Sequence, residues 1–172
     1  VDQTSDKRRV FNLNTVTNEI AATLGGRIRR DHHHLSIQIP EHIEIDGYPG
    51  SYGQVITNMI LNALIHAFDG KEDGHISISV SKFDRQQVTM HISDNGNGIS
   101  EDNLNRIFDP FFTTRMGQGG SGLGLHISYN IVTAILGGSI QVKSRLGHGT
   151  QFDITLPTNA PESPLQDSAP EG

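Results

Sequence analysis

The chain has 172 residues and a net charge of −6, enough length for one domain with a full hydrophobic core. Its basic clusters, Lys7-Arg8-Arg9 and Arg27-Arg29-Arg30, are small, so the charge balance excludes polyanion binding by the domain as a whole and no nucleic-acid partner is expected. It has no cysteine, which removes disulfides and thiolate metal sites, and no apolar run near the ~18 residues of a membrane span.

Residues 1–10 are polar and read as a linker, and the start at Val1 without an initiator Met reads as that of an excised piece. Asn14 is positioned to cap a helix whose apolar residues Val16, Ile20, Leu24 and Ile28 recur at steps of four, stopping around Gly25-Gly26 or slightly later. In DHHHLSIQIP, Leu35, Ile37 and Ile39 alternate with Ser36 and Gln38 as a strand ended by Pro40, and a short apolar stretch follows at 43–45. After the turn-rich Gly47-Tyr48-Pro49-Gly50, with Ser51 as candidate N-cap, residues 52–68 (YGQVITNMILNALIHAF) predict a helix apolar nearly all round, and therefore buried. Within it Gln54, Asn58, Asn62 and His66 recur at steps of four, and four residues advance only about 40° around a helix. The result is one narrow polar stripe. A buried amide without a partner costs roughly 1–3 kcal/mol, so the stripe is satisfied either by backbone carbonyls and ordered water or by a functional partner shared along it.

Further strands follow. Ile76, Ile78 and Val80 alternate with serines, and Val88, Met90 and Ile92 alternate with Thr89, His91 and Ser93. Ile140 and Val142, then Phe152, Ile154 and Leu156, repeat the pattern. One apolar and one polar face per strand predict a mostly antiparallel sheet covered on one side. A third helix, 123–136, sets Leu123, Ile127, Ile131 and Ile135 on one side and ends at Gly137-Gly138. About three helices on one face make a two-layer α/β sandwich. Between Asn95 and Ser121 only 101–107 reads as helix, and so long a connection points to a lid or binding loop, anchored by Phe108, Phe111 and Phe112. Residues 158–172, rich in Pro, Ser and acids, read as a disordered tail.

Asp94-Asn95-Gly96-Asn97-Gly98 follows directly on a strand, where the glycines permit a tight turn and the Asp94 carboxylate is suited to accept from an amino group. Taken alone, an Asx turn closing a hairpin is the simpler reading. Gly117 to Gly124 (GQGGSGLG) opens the third helix two residues after Arg115, and backbone N–H groups at such a start suit phosphate. The stretch matches G-x-G-x-x-G but follows FFTTRM, not a strand of a parallel βαβ unit, and no P-loop lysine is present. His32-His33-His34 alternate faces with only Asp31 close by, and read as a solvated strand start, not a metal site. A Ser-His-Asp hydrolase lacks its G-x-S-x-G elbow.

In this order the motifs resemble the catalytic ATP-binding domain of sensor histidine kinases, within the superfamily of gyrase-type topoisomerases, chaperone ATPases and mismatch-repair ATPases. The N box is similar to Asn58-Met59-Ile60-Leu61-Asn62-Ala63, the first glycine box to Asp94-Asn95-Gly96-Asn97-Gly98, and the F box to Phe108-Asp109-Pro110-Phe111-Phe112. The second glycine box is similar to Gly120-Ser121-Gly122-Leu123-Gly124-Leu125 and the last to Gly147-His148-Gly149-Thr150. The resemblance covers roughly residues 10–157 and implies a Bergerat-type ATP-binding fold over 11–157, with ATP and Mg2+ as ligands. It implies that Asn62 coordinates Mg2+ with Asn58 assisting at the phosphates, and that Asp94 accepts from the adenine amino group, helped by Thr150. Gly96 and Gly98 would let a lid hinge beside the base. Gly120, Gly122 and Gly124 would cradle the phosphates, with Ser121, Leu123 and Leu125 beside them. Phe108, Phe111 and Phe112 would dock the lid, and Arg115 would reach the γ-phosphate.

Two departures stand out. Where many members carry Lys or Arg three residues after the magnesium Asn, this chain has Ile65, leaving His66 or Arg115 to supply the donor. Where ATP-hydrolysing relatives carry a Glu to activate water it has Asn58, which is no general base, so transfer to a protein acceptor is favoured over hydrolysis. No histidine sits in the family's phosphoacceptor setting. The acceptor is thus expected on an upstream dimerisation domain, with a response-regulator receiver domain as the next partner. A monomeric fragment of a homodimeric, cytoplasmic kinase, its parent membrane-anchored or not, follows from the resemblance. The alternatives are a free-standing protein-serine kinase of the anti-sigma-factor type and a nucleotide-binding regulatory module without transfer.

Overall fold

In the computed structural model, which describes residues 6–112 and 124–162, β1 (Arg9–Asn12) leads directly into α1 (Leu13–Arg30). β2 (His34–Gln38) and β3 (Glu44–Gly47) precede α2 (Pro49–Asn62), and β4 (His75–Phe83) turns back into β5 (Gln87–Asp94). A single turn, α3 (Glu101–Leu104), and α4 (Gly124–Asn130) precede β6 (Ser139–Ser144) and β7 (Thr150–Pro157). Both α2 and α4 run on into π turns, at Ala63–Ala67 and Ile131–Ile135.

The main sheet has the order β2-β4-β5-β7-β6, with β2 parallel to β4 and every other pair antiparallel. The alternation read from sequence is the burial pattern. Ile76, Ile78, Val88, Met90, Ile92, Phe152, Ile154 and Leu156 are buried on the face the helices cover, while the serines, threonines and charged residues between them stay on the open face. Tyr52, Val55, Ile56, Met59 and Ile60 bury α2 against that layer, so the two-layer α/β sandwich is the observed fold. No helix among the described residues is long and apolar enough to cross a membrane.

The element ends depart in part from the sequence reading. Helix α1 takes the later of the stops read from sequence and runs past Gly25-Gly26 to Arg30, with Ile28 of the apolar repeat buried in the core. Its N-cap is Asn12, whose side chain accepts from the Thr15 N–H at 2.9 Å, while the Asn14 amide donates to the Ile39 carbonyl at 2.7 Å. The cap of α2 is not Ser51. Asp6, in the stretch read as linker, accepts from the backbone N–H of Gly50 at 3.0 Å and of Ser51 at 2.8 Å, and from the Ser51 hydroxyl at 2.6 Å. A carboxylate at a helix N-terminus is favoured by the exposed N–H groups and the dipole.

Both outer segments dock on a second, two-stranded sheet formed by β1 and β3. Arg8 donates from Nε to Asp46 at 3.0 Å and from Nη1 to the Ala160 carbonyl at 2.6 Å. The Ala160 N–H donates to the Asp46 carbonyl at 2.8 Å and the Asp46 N–H to the Thr158 carbonyl at 2.9 Å. The packed structure therefore reaches outside 11–157, to residue 6 on one side and past Ala160, which is buried, on the other.

Candidate functional site

A cavity of about 340 Å³ opens where α2 ends, β5 ends and β7 begins. Asn62 and His66 line it from α2 and its π turn, Asp94 and Gly98 from the end of β5 and the turn after it, and Thr150 from the first position of β7. Ile99, Ile107, Phe112, Leu125 and Leu146 supply an apolar wall, and Ser100 and Asn103 a polar rim. A few convergent polar groups over apolar surface is the usual build of a small-molecule pocket.

The Asp94 carboxylate accepts from the Gly96 N–H at 2.9 Å, so the Asx turn exists and faces the cavity at the same time. Burial pushes the Asp94 carboxyl above the usual carboxylate range, and backbone hydrogen bonds from Gly96 and Thr150 oppose that rise. Thr150 stands opposite Asp94 in the β5–β7 register, and its hydroxyl lies 2.8 Å from Ser144 Oγ. That serine also donates to the Gly149 carbonyl and accepts from the Ile99 N–H, which fixes the Thr150 hydroxyl from behind. Gly96 is pressed against Ala67, whose carbonyl a Cβ would strike; the Asn97 N–H donates to the same carbonyl at 2.7 Å. Gly98, at φ 77°, lies equally close to the Arg145 carbonyl. Both glycines serve close backbone contact.

The polar stripe of α2 divides in two. Asn58 Nδ2 donates to Ser128 Oγ at 3.1 Å and to the Gly124 carbonyl at 3.3 Å, and Asn58 Oδ1 accepts from Gln54 at 2.8 Å. Those bonds tie α2 to α4 and leave Asn58 outside the cavity wall. One turn on, Asn62 is half-buried in that wall, and among the described residues its carboxamide has no hydrogen-bond partner. Gly124 starts α4 and Leu125 faces the cavity, while Arg115, Gly120, Ser121, Gly122 and Leu123 lie outside the described residues.

The three phenylalanines part company. Phe112 is in the cavity wall with the Arg106 guanidinium 5.0 Å over its ring. Phe108 packs on Tyr129 and Phe152 at 5.2 and 6.3 Å, and His126 on α4 holds its carbonyl at 3.0 Å. Phe111 is 63% exposed at φ 65°, and among the described residues its ring stacks on no other. Residues the motifs did not name complete the site. Asn103 reaches it from α3 and Ile99, Ser100, Ile107 and Leu146 from the connections, and of these only Ile99, Ile107 and Leu146 adjoin a motif, at Gly98, Phe108 and Gly147. A row of Ser81, His91 and Asp153, with contacts of 2.7 and 2.6 Å, lies on the open sheet face, away from this cavity.

Residues 47–160 match the family model of histidine kinase-, DNA gyrase B-, and HSP90-like ATPases. The chain is 41% identical over 116 residues to the sensor histidine kinase ZraS of Escherichia coli (strain K12), covering 67% of this chain and 23% of that protein. It is 40% identical over 109 residues to sporulation kinase E of Bacillus subtilis (strain 168), covering 63% of this chain and 14% of that one. The chain thus spans less than a quarter of the length of these curated relatives. Among solved structures, the nucleotide-free catalytic domain of histidine kinase ThkA superposes with a TM-score of 0.78 at 29% identity, over 89% of this chain and 97% of that one. ThkA in complex with the response regulator protein TrrA gives 0.72 at 26% identity, over 88% and 42%. The glycine turn, the asparagine-bearing helix and the cavity between them are accounted for together: the chain belongs to the histidine kinase-, DNA gyrase B- and HSP90-like ATPase family, as a catalytic ATP-binding domain of the histidine-kinase type.

Proposed function

We propose that the domain binds Mg-ATP in this cavity and delivers the γ-phosphoryl group to a histidine on an upstream dimerisation domain of a homodimeric, cytoplasmic kinase, from which a response-regulator receiver domain takes it. The observation that carries the reading is the single cavity shared by Asn62, Asp94 and Thr150. Asp94 accepts from the adenine amino group, and Thr150, braced by Ser144, bonds the base through its hydroxyl or a water. The apolar wall keeps water from the base. Asn62 offers an amide oxygen with no protein partner among the described residues, which suits Mg2+, an ion that takes few protein oxygens and keeps several waters. When bound, the ion neutralises phosphate charge.

Arg115 and the glycines at 120, 122 and 124 hold the phosphates, and His66 is the cavity's titratable donor in place of the basic residue that Ile65 replaces. Phosphoryl transfer asks mainly for positioning and charge neutralisation, and these groups supply both. With Asn58 where ATP-hydrolysing relatives carry the Glu that activates water, transfer to protein is favoured over hydrolysis. Mixing the chain with Mg-ATP and the upstream helical domain tests this. Acid-labile, base-stable phosphate on that domain is expected; acid-stable phosphoserine identifies a serine kinase instead, and binding without transfer a regulatory module.

A further inference from the structure

The histidine triplet, read from sequence as a solvated strand start, divides into three environments. His32 is exposed at φ 58°. His33 turns inward, where its Nδ1 accepts from the Gly74 N–H at 2.9 Å and its ring lies 4.5 Å from Phe68. His34 turns outward, directly opposite His75 in the parallel β2–β4 register, with the two rings stacked 4.6 Å apart. Asp73, just before β4, sets one carboxylate oxygen 2.7 Å from His34 Nε2 and the other 3.7 Å from His75 Nε2. One ligand atom from each of the three lies within 4.8 Å of the others.

Two ligands about 2.0–2.1 Å from a tetrahedral Zn2+ stand about 3.3–3.5 Å apart, a separation that the observed contacts straddle. Two imidazoles and one carboxylate, with a position left for water, is a donor set this ion favours over Mg2+. The frame is rigid. The His34 N–H donates to the Gly74 carbonyl at 2.8 Å, and the His33–Gly74 bond closes the same junction from the other side. An exposed His–Asp pair by itself contributes little to stability. A metal needs both rings neutral and supplies the positive charge that the carboxylate faces.

We propose that His34, Asp73 and His75 form a surface site for a divalent transition-metal ion of the Zn2+ type, separate from the nucleotide cavity. Bound there, the ion joins β2, β4 and the loop before β4. It also stiffens the backing of the nucleotide site, because Asn95, the neighbour of Asp94, accepts the His75 N–H at 2.7 Å.

Titrating the tag-free chain with ZnCl2, read by calorimetry and by thermal unfolding, tests the site. One ion per chain and a raised Tm are expected, with Co2+ giving visible absorption bands of a low-coordinate nitrogen and oxygen site. His34→Ala and His75→Ala each reduce the affinity by at least ~100-fold, more than loss of a supporting residue does, while His42→Ala and His148→Ala leave it unchanged. Both ligand histidines are more than half exposed, so circular dichroism of these variants stays that of the parent. Absence of saturable binding, or binding that survives the His34→Ala/His75→Ala double variant, overturns the proposal.

Discussion

At Asp94 one carboxylate closes a turn through the Gly96 N–H and faces the cavity, and burial holds its pKa above the ordinary value. The sign follows from that direction. A carboxyl whose pKa is raised by folding adds stability while it is protonated, and that stability is lost as pH rises through the folded pKa. The buried charge therefore works against the empty domain, is offset in part by the Gly96 and Thr150 N–H groups, and gains a further partner when a donor such as an adenine amino group arrives. Asp94→Asn is expected to leave the nucleotide-free domain as stable or more stable at pH 7, with the difference from the parent shrinking in thermal unfolding near pH 4. The same variant is expected to bind Mg-ATP about tenfold to hundredfold more weakly by calorimetry, the range for a charge-assisted hydrogen bond. Unchanged affinity would sink the assignment of the base end. The opposite neighbour in the ladder, Thr150, shows why the pocket needs a strand here: register alone brings it to Asp94.

At the scale of one helix the two asparagines of α2 differ in their partners, Asn58 being bonded to α4 and Asn62 facing the cavity. Asn62→Ala is expected to abolish the magnesium-dependent part of nucleotide affinity while leaving stability within about 0.5 kcal/mol of the parent, since its carboxamide bonds no other group among the described residues. Asn58→Ala breaks the tie to Ser128 and Gly124 and is expected to cost about 1–3 kcal/mol in denaturant unfolding. A drop in ATP affinity without a stability loss in Asn58→Ala would instead return that residue to the phosphates. The sequence revealed the stripe, because a step of four is local, but not its division, because Ser128 arrives on another helix 70 residues on. For the same reason the strands were legible and the caps were not. Ile76, Ile78 and Val80 declare a face by alternation alone, whereas Asp6 caps α2 across 44 residues of chain. Gly25-Gly26 suggested a helix end from local propensity, and the buried Ile28 goes with the later stop. Strand β1 is four residues long and its partner β3 equally short, too little for a period to be read. The carboxylate beside His34 was not legible, because Asp73 comes from a loop 39 residues away.

At the scale of the whole molecule, both ends of the packed domain meet on β3. Arg8, Asp46 and Ala160 are joined there by side-chain and backbone bonds, and Gly47 in the same strand packs on the Ala160 methyl group. A chain ended after residue 157 is therefore expected to be less stable than one ended after 162 by about 2 kcal/mol, the sum of a few net hydrogen bonds and one buried methyl. For a domain of this size that is a fall in Tm of roughly 4–8 °C in a thermal melt. Equal melting of the two chains would show that the 158–162 segment rests on the domain without supporting it. Cavity and outer segments lie at opposite ends of α2, so this loss is expected with no change in the intrinsic affinity for ATP.

The parallel pairing of β2 with β4 also sets an order of events. The β4–β5 hairpin closes locally, but β2 joins the sheet only after the intervening α2 region has been brought round, with 41 residues between His33 and its hydrogen-bond partner Gly74. Closing such a loop costs chain entropy before any contact is gained, so β2 is expected to dock after the β4–β5 hairpin has formed. A tie across His34 and His75 made after the barrier is expected to slow opening of the domain more than it speeds its formation.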